Sequence, residues 1–178
     1  MNSKLTISNI LIGIAAIFTI AATMDTSYYQ YGMNSFFLSQ WQYHIYFMQF
    51  FTSQFLHWGT LHLIMNSIFI IIFWTVVEQI LWEKKYLAFF MFSAIFIGIS
   101  ITFLTSANTF GMSWFAMAVL AFYTLQLKSL NNPEYKWGIT ALLLNIWIWF
   151  VPGISLVGHL FWAIAGAIFF FILRILKK

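Results

Sequence analysis

The sequence predicts an all-α membrane protein, a bundle of six transmembrane helices in a single domain over residues 1–178 with both termini in the cytoplasm. Composition and length predict this class. Hydrophobic residues make up 62% of the 178 residues and charged residues only 7%, whereas soluble domains carry about a quarter charged residues. A spanning helix needs about 20 apolar residues, so the chain has room for six spans joined by short loops.

Apolar runs separated by polar breaks mark the predicted helices. The six predicted spans are residues 5–23, 59–80, 86–104, 113–127, 137–151 and 155–175. The stretch 24–56 is aromatic but interrupted by polar residues, so we expect an interfacial loop with its Trp and Tyr rings at the headgroup level. The fifth run ends at Pro152-Gly153, which predicts either a tight helical hairpin or one kinked segment for the last two spans.

The basic residues test this count of six spans. All eight lie in segments that the six-span arrangement puts on the cytoplasmic side: Lys4, Lys84, Lys85, Lys128, Lys136, Arg174, Lys177 and Lys178. The outer segments contain none, as the positive-inside rule predicts; these segments are 24–56, 105–112 and 152–154. The net charge of +4 therefore faces anionic lipid, which argues against nucleic-acid binding.

The amino-terminal segment leaves one alternative open. Lys4, the apolar run after it and the small residues from Ala21 to Thr23 also fit a cleavable signal peptide. Its removal would leave the placement of the other spans unchanged. The chain has no Cys, which excludes disulfides, a thiolate nucleophile and a Cys-based metal site.

Polar side chains inside a span are costly in hydrocarbon and therefore indicate a functional site. On the second predicted helix His62 and Asn66 are four residues apart and share one face, with His57 about one turn earlier. Ser113 opens the fourth helix. His159 lies about four residues into the sixth, roughly 6 Å below the boundary at a rise of 1.5 Å per residue. The topology places all five residues in the outer half of the membrane.

Each of these residues also has a purely structural interpretation. A lone intramembrane Ser usually bonds to a backbone carbonyl one turn back, and a His near a helix end often anchors the helix at the interface. Gly111, two residues before Ser113, would on its own indicate helix packing. Their occurrence at one depth favours a common site over these separate explanations.

Three motifs in three different spans resemble those of the rhomboid intramembrane serine proteases. The motifs are His57-x4-His62-x3-Asn66, Gly111-x-Ser113, and Gly158-His159 followed two turns later by Ala165-Gly166. Their order, spacing and span positions are similar to the minimal six-span rhomboid core over residues 1–178. Glu78 resembles an acidic residue that the family often has at the inner end of the second span. Each motif alone is weak, but their combination is specific.

The resemblance implies that Ser113 is the nucleophile and His159 its general base, a dyad with no carboxylate partner. The residues that it implies for oxyanion and substrate binding are His62, Asn66 and Gly111, with His57 in support. It implies no cofactor and no metal; the expected partners are a transmembrane protein substrate and the lipid bilayer. The acidic residues agree with a dyad, since none lies in the outer part of a span: Asp25, Glu78, Glu83 and Glu134.

The sequence departs from the family pattern near this dyad. Trp114 follows the Ser where Gly is usual, Met117 replaces a Tyr that lies along the catalytic His, and Trp162 replaces a small residue. Met48-Gln49 stands where the family often has Trp-Arg. Because small residues permit close helix packing, the two Trp side chains predict a longer distance between the catalytic groups unless both rings point elsewhere.

Three functions are compatible with the sequence. The first is an active intramembrane protease, which we expect in the cytoplasmic membrane of a prokaryote, acting on a single-span protein whose helix unwinds near the outer surface. The second is an inactive rhomboid-like pseudoprotease that binds transmembrane clients, which the Trp substitutions favour. The third is a small transporter or metal-binding protein with His ligands. The lack of nearby carboxylates and of visible inverted repeats argues against the third.

Overall fold

The computed structural model describes residues 6–147 and 156–176, and within these ranges the fold is helical. The α-helices are α1 (Ile7–Met24), α2 (Phe36–Ser39), α3 (Tyr43–Phe55), α4 (Gly59–Leu104), α5 (Ser113–Ser129), α6 (Tyr135–Trp147) and α7 (Leu156–Ile175), and Thr26–Tyr31 forms a 3₁₀ helix. The predicted break at Pro152-Gly153 lies outside the described residues, so the choice between a hairpin and a kink stays a prediction.

Helix α4 contains both the second and the third predicted spans. The two parts are joined at a kink at Trp82, where φ is 63° and ψ is 157°. A positive φ at a residue with a bulky side chain is a rare backbone conformation, and it interrupts the helix just before the charged residues Glu83, Lys84 and Lys85. The side chain of Trp82 is exposed. The sequence predicted two separate helices with a polar break between residues 80 and 86; the structure has a kink at Trp82 within this break.

The helices expose the apolar surface expected of a membrane protein. Two helices in the described ranges are long and apolar enough to cross a bilayer: Ile7–Met24 and Thr75–Leu104. Further candidates are the pair Tyr43–Phe55 and Gly59–Phe73, bent by 77°, and the shorter apolar helix His159–Ile175. Many large apolar side chains on these helices are exposed, far more than a soluble monomer presents. The chain is an integral membrane protein; the count of six spans and the cytoplasmic termini stay predictions.

Helix α5 occupies the centre of the bundle and packs against α4, α6 and α7. Its residues from Trp114 to Phe122 are all buried, as expected for a helix that is surrounded by others. On α7, a Cβ added to Gly166 would clash with the carbonyl group of Ala118. The backbones of α5 and α7 therefore touch at this point, and they bring the helix of Ser113 against the helix of His159.

The carboxylate of Glu78 anchors the start of α1 to α4. It is buried and accepts hydrogen bonds from the backbone N–H groups of Ile7 at 2.7 Å and Ser8 at 3.0 Å, and from the Ser8 hydroxyl. The first N–H groups of a helix lack partners within the helix, and negative charge is favourable at this end of the helix dipole. Glu78 lies about three turns from Asn66 along α4, so its observed role is structural.

The predicted loop 24–56 contains a helix, α3, that the sequence analysis did not predict. Gln49 on α3 is fully buried, and its amide donates to two backbone carbonyls of the preceding segment. In the loop before α5, Asn108 donates to the carbonyl of Tyr29 at 2.8 Å, and Met33 forms an isolated β-bridge with Thr109. These bonds join the segments 24–56 and 105–112 next to the start of α5.

Candidate active site

Ser113 is the first residue of α5, and a glycine sets its position. Gly111 has a φ of +129°, which L side chains rarely adopt, and its N–H donates to the carbonyl of Ser53 at 2.8 Å. The Ser113 side chain is partly exposed, and its Oγ makes no hydrogen bond within the described residues. By contrast, Ser67 and Ser100 each bond to a carbonyl one turn back, at 2.8 Å and 2.9 Å. Ser113 begins its helix, so no helical turn precedes it to supply such a carbonyl.

His57 is fully buried and holds the residue that precedes Ser113. Its Nδ1 lies 3.1 Å from the carbonyl oxygen of Phe55, which only accepts, so Nδ1 carries the ring proton. Its Nε2 accepts a hydrogen bond from the backbone N–H of Met112 at 3.2 Å. Both nitrogens of a neutral imidazole are thus bonded to the backbone. His57 therefore fixes the backbone directly before Ser113.

The His62 ring and the Ser113 hydroxyl both lie beside Gly111. The Nδ1 of His62 accepts a hydrogen bond from the backbone N–H of Trp58 at 3.2 Å, so the proton of the neutral ring is on Nε2. A Cβ placed on Gly111 would lie 3.4 Å from His62 Nε2 and 3.6 Å from Ser113 Oγ. The space beside Gly111 is therefore bordered by a hydrogen-bond donor and by a hydroxyl, the combination that stabilises an oxyanion during nucleophilic attack.

Asn66 lies one turn after His62 on the same face of α4. Its side chain is only 8% exposed, and its Nδ2 is buried without a hydrogen-bond partner among the described residues. An unpaired buried donor costs about 1–3 kcal/mol, so such a group requires an explanation. A role as a second donor to an oxyanion supplies one.

His159 lies in the first turns of α7 and packs against an aromatic pair. Its ring centroid is 5.3 Å from that of Trp162, and Trp162 is 4.7 Å from Trp114, the residue after Ser113. The backbone of Asn145 interacts with the His159 ring, but Nδ1 makes no hydrogen bond of acceptable geometry within the described residues. Ser113 and His159 are both described, and no direct hydrogen bond joins them. Ring packing, and not a hydrogen bond, connects His159 to α5.

The family model described as Rhomboid domain matches residues 44–175, well over half of the chain. The chain belongs to the rhomboid family. The matched range begins within α3, ends with α7 and includes every candidate site residue, so the family resemblance predicted from the three motifs is confirmed. A comparison with curated proteins gives no match.

Two departures from the rhomboid pattern, Trp114 and Trp162, do not separate α5 from α7. Both side chains are buried and pack against each other. The contact between the backbones of Ala118 and Gly166 lies about one turn further along both helices. The helices of this rhomboid thus keep their close approach, although Ser113 and His159 are not hydrogen-bonded to each other.

Three features of this rhomboid site were not predicted from the sequence. Gln49, where the family often has Arg, braces the chain through backbone carbonyls. Ser53 contributes its backbone carbonyl to Gly111, and no side-chain pattern reveals such a contact. Trp162 lies against the ring of His159. The sequence did carry a signal for this last contact: His159 and Trp162 are three residues apart, and residues i and i+3 are neighbours on a helix surface.

The His residues give little support to the metal-binding alternative. His57 uses both ring nitrogens in backbone hydrogen bonds, and His44 is exposed at the start of α3. Among the described residues, no group of three or more His, Asp or Glu side chains is arranged to hold a metal ion.

Proposed function

We propose that this rhomboid is an active serine endopeptidase that cleaves transmembrane segments of membrane proteins near the outer face of the bilayer. The observation that carries the proposal is the space beside Gly111, which Ser113 Oγ and His62 Nε2 both border. The rhomboid family consists mostly of serine intramembrane proteases, which supports the same function.

In the proposed reaction, Ser113 Oγ attacks the carbonyl carbon of the scissile peptide bond while His159 accepts the hydroxyl proton. The developing charge on the carbonyl oxygen is bound by His62 Nε2–H, by the Asn66 amide and by the backbone N–H of Ser113. That N–H is at the first position of α5 and has no partner within the helix. His159 then gives the proton to the leaving amine, and water hydrolyses the acyl-enzyme.

The proposal requires one movement in the dyad. A general base acts within about 3.2 Å of the proton donor, and Ser113 and His159 make no hydrogen bond in the described structure. Catalytic hydrogen bonds are often long in the absence of substrate and tighten in the complex. We therefore propose that substrate binding brings the His159 ring to Ser113 Oγ.

The proposed substrate class follows from the depth of the site. A peptide bond inside a transmembrane helix is shielded by helical hydrogen bonds, so we propose a single-span protein whose helix unwinds near the outer surface. The bilayer itself is the second partner. The distribution of Lys and Arg supports six spans with cytoplasmic termini, in what we propose is the cytoplasmic membrane of a prokaryote.

A second candidate function is that of a rhomboid-like pseudoprotease, which binds transmembrane clients without cleaving them. The absence of a Ser113–His159 hydrogen bond in the described structure favours it. So does the bulky Trp114, which follows the nucleophile directly.

Fluorophosphonate labelling and a cleavage assay in liposomes with a generic transmembrane substrate distinguish the two functions. We expect Ser113→Ala to abolish both signals, because the probe and the substrate react with the same hydroxyl. We expect His159→Ala to lower the cleavage rate by at least about 10³-fold. His44→Ala is the matched control and should retain wild-type activity. A wild-type protein that binds the substrate but is neither labelled nor active is a pseudoprotease, and equal activity of the two His variants would exclude His159 as the base.

A further inference from the structure

The orientation of His159 is not set by a hydrogen-bonded acid. In a Ser-His-Asp triad the carboxylate bonds to the second ring nitrogen and holds the imidazole in position. Here Nδ1 of His159 makes no acceptable hydrogen bond within the described residues, and no Asp or Glu is present in α7. Another contact must therefore restrict the ring if it is to act on Ser113.

Among the described residues, the His159 ring packs against Trp162, three residues later on α7, and also interacts with the backbone of Asn145. The two ring centroids are 5.3 Å apart and the ring planes are inclined by 32°. The pair is tilted and is neither a parallel stack nor an edge-to-face pair, and its centroid separation lies within the range of about 4.5–7 Å in which aromatic rings attract each other. A cation at about 6 Å or less from an indole is also attracted to its face, so the same contact favours the imidazolium that forms during the reaction.

Trp162 is itself held firmly. Its side chain is fully buried and packs against Trp114 at 4.7 Å on the opposite helix. Both belong to one buried cluster that also contains Met117. The indole Nε1 is buried without a hydrogen-bond partner among the described residues. A buried Trp N–H usually has such a partner, and leaving it unpaired costs free energy. An apolar side chain would fill this space without that cost, so packing alone does not explain why Trp occupies this position.

We propose that Trp162 is the positioning residue for His159. The tilted contact between the two rings holds the imidazole in place of a hydrogen-bonded carboxylate. The inference rests on the proposed protease function. It also connects two departures from the family pattern, because Met117 and Trp162 lie in the same cluster. The aromatic ring that lies along the catalytic His is supplied here by α7 and not by α5.

The test compares Trp162→Leu, which removes the ring, with Trp162→Phe, which keeps one. Phe169→Leu is the matched control: it removes a buried ring on the same helix that stacks on Phe89 at 4.6 Å. We measure kcat and KM for a transmembrane substrate in liposomes, the rate of Ser113 labelling by fluorophosphonate, and thermal unfolding in detergent. We expect Trp162→Leu to lower kcat and the labelling rate about 10- to 100-fold, since small misplacements of catalytic groups have effects of this size.

The conservative variant separates positioning from stability. We expect KM to change less than about twofold in all variants and Trp162→Phe to keep kcat within about fivefold of the wild type, because a ring remains to hold the imidazole. Phe169→Leu should keep its kcat even where its unfolding temperature falls. If Trp162→Leu does not fold, Trp162→Met replaces it in the same comparison, because the flexible Met side chain adapts to irregular space.

Two outcomes overturn the inference. One is wild-type kcat in Trp162→Leu or Trp162→Met, and the other is an equal loss of kcat in Phe169→Leu. A failure of the proposed protease function gives a different result: the wild-type protein itself then shows no Ser113-dependent labelling by fluorophosphonate.

Discussion

Gly111→Ala tests the geometry of the proposed oxyanion site. At a φ of +129° an alanine is strained, at a cost of about 1–3 kcal/mol. Its Cβ would lie 3.1 Å from His62 Cε1 and 3.4 Å from Nε2, so the His62 ring must shift by a few tenths of an ångström. The loss of one oxyanion donor lowers kcat by about 10²–10³. We therefore expect a moderate loss of stability together with a fall in kcat/KM of about 10²-fold.

Gly59→Ala is the matched control for backbone strain. Gly59 also has a positive φ, +80°, but a Cβ added there meets no atom within 4 Å. We expect it to lose stability to a similar degree and to keep most of the activity. The assays are thermal unfolding in detergent and cleavage of a transmembrane substrate in liposomes. If Gly111→Ala is as active as Gly59→Ala at equal stability, His62 does not act at the space beside Gly111 and the reasoning is refuted.

Two further substitutions test the supports of the site and of the fold. His57→Ala leaves the N–H of Met112 without its partner, which we expect to cost about 1–3 kcal/mol and to lower the labelling of Ser113; an unchanged unfolding temperature would contradict the bracing role. Glu78→Gln removes the charge that accepts bonds at the start of α1. We expect a loss of about 1.5–3 kcal/mol in unfolding experiments with kcat unchanged, and a loss of kcat would contradict a purely structural role.

The positions of most helices were predictable because their cause is local in the sequence. In a bilayer every backbone polar group must be satisfied within its own helix, so an apolar run of sufficient length forms a helix of about that length. The apolar run at 5–23 is observed as the helix Ile7–Met24, and the run at 113–127 as the helix Ser113–Ser129.

Helix α3 shows where this rule does not apply. Its buried side includes Gln49, Ser53 and Gln54, so polar residues point inwards and hydropathy does not reveal a helix. The Gln49 amide donates to carbonyls of the preceding segment, and the backbone carbonyl of Ser53 accepts from the N–H of Gly111. Only the assembled structure determines that these polar groups are buried together.

The sequence by itself determined the membrane class, the family and the chemical types of the site residues, because composition, charge placement and motif spacing carry that information. The tertiary structure decided what each residue contacts. His57 and His62 look equivalent in the sequence, yet His57 bonds to the backbone through both ring nitrogens, whereas His62 has its Nε2 beside Gly111. Trp162 was expected to increase the distance between Ser113 and His159, yet its ring packs against the ring of His159. The direction of a side chain depends on how α4, α5 and α7 pack, and that packing is set by contacts between residues far apart in the chain.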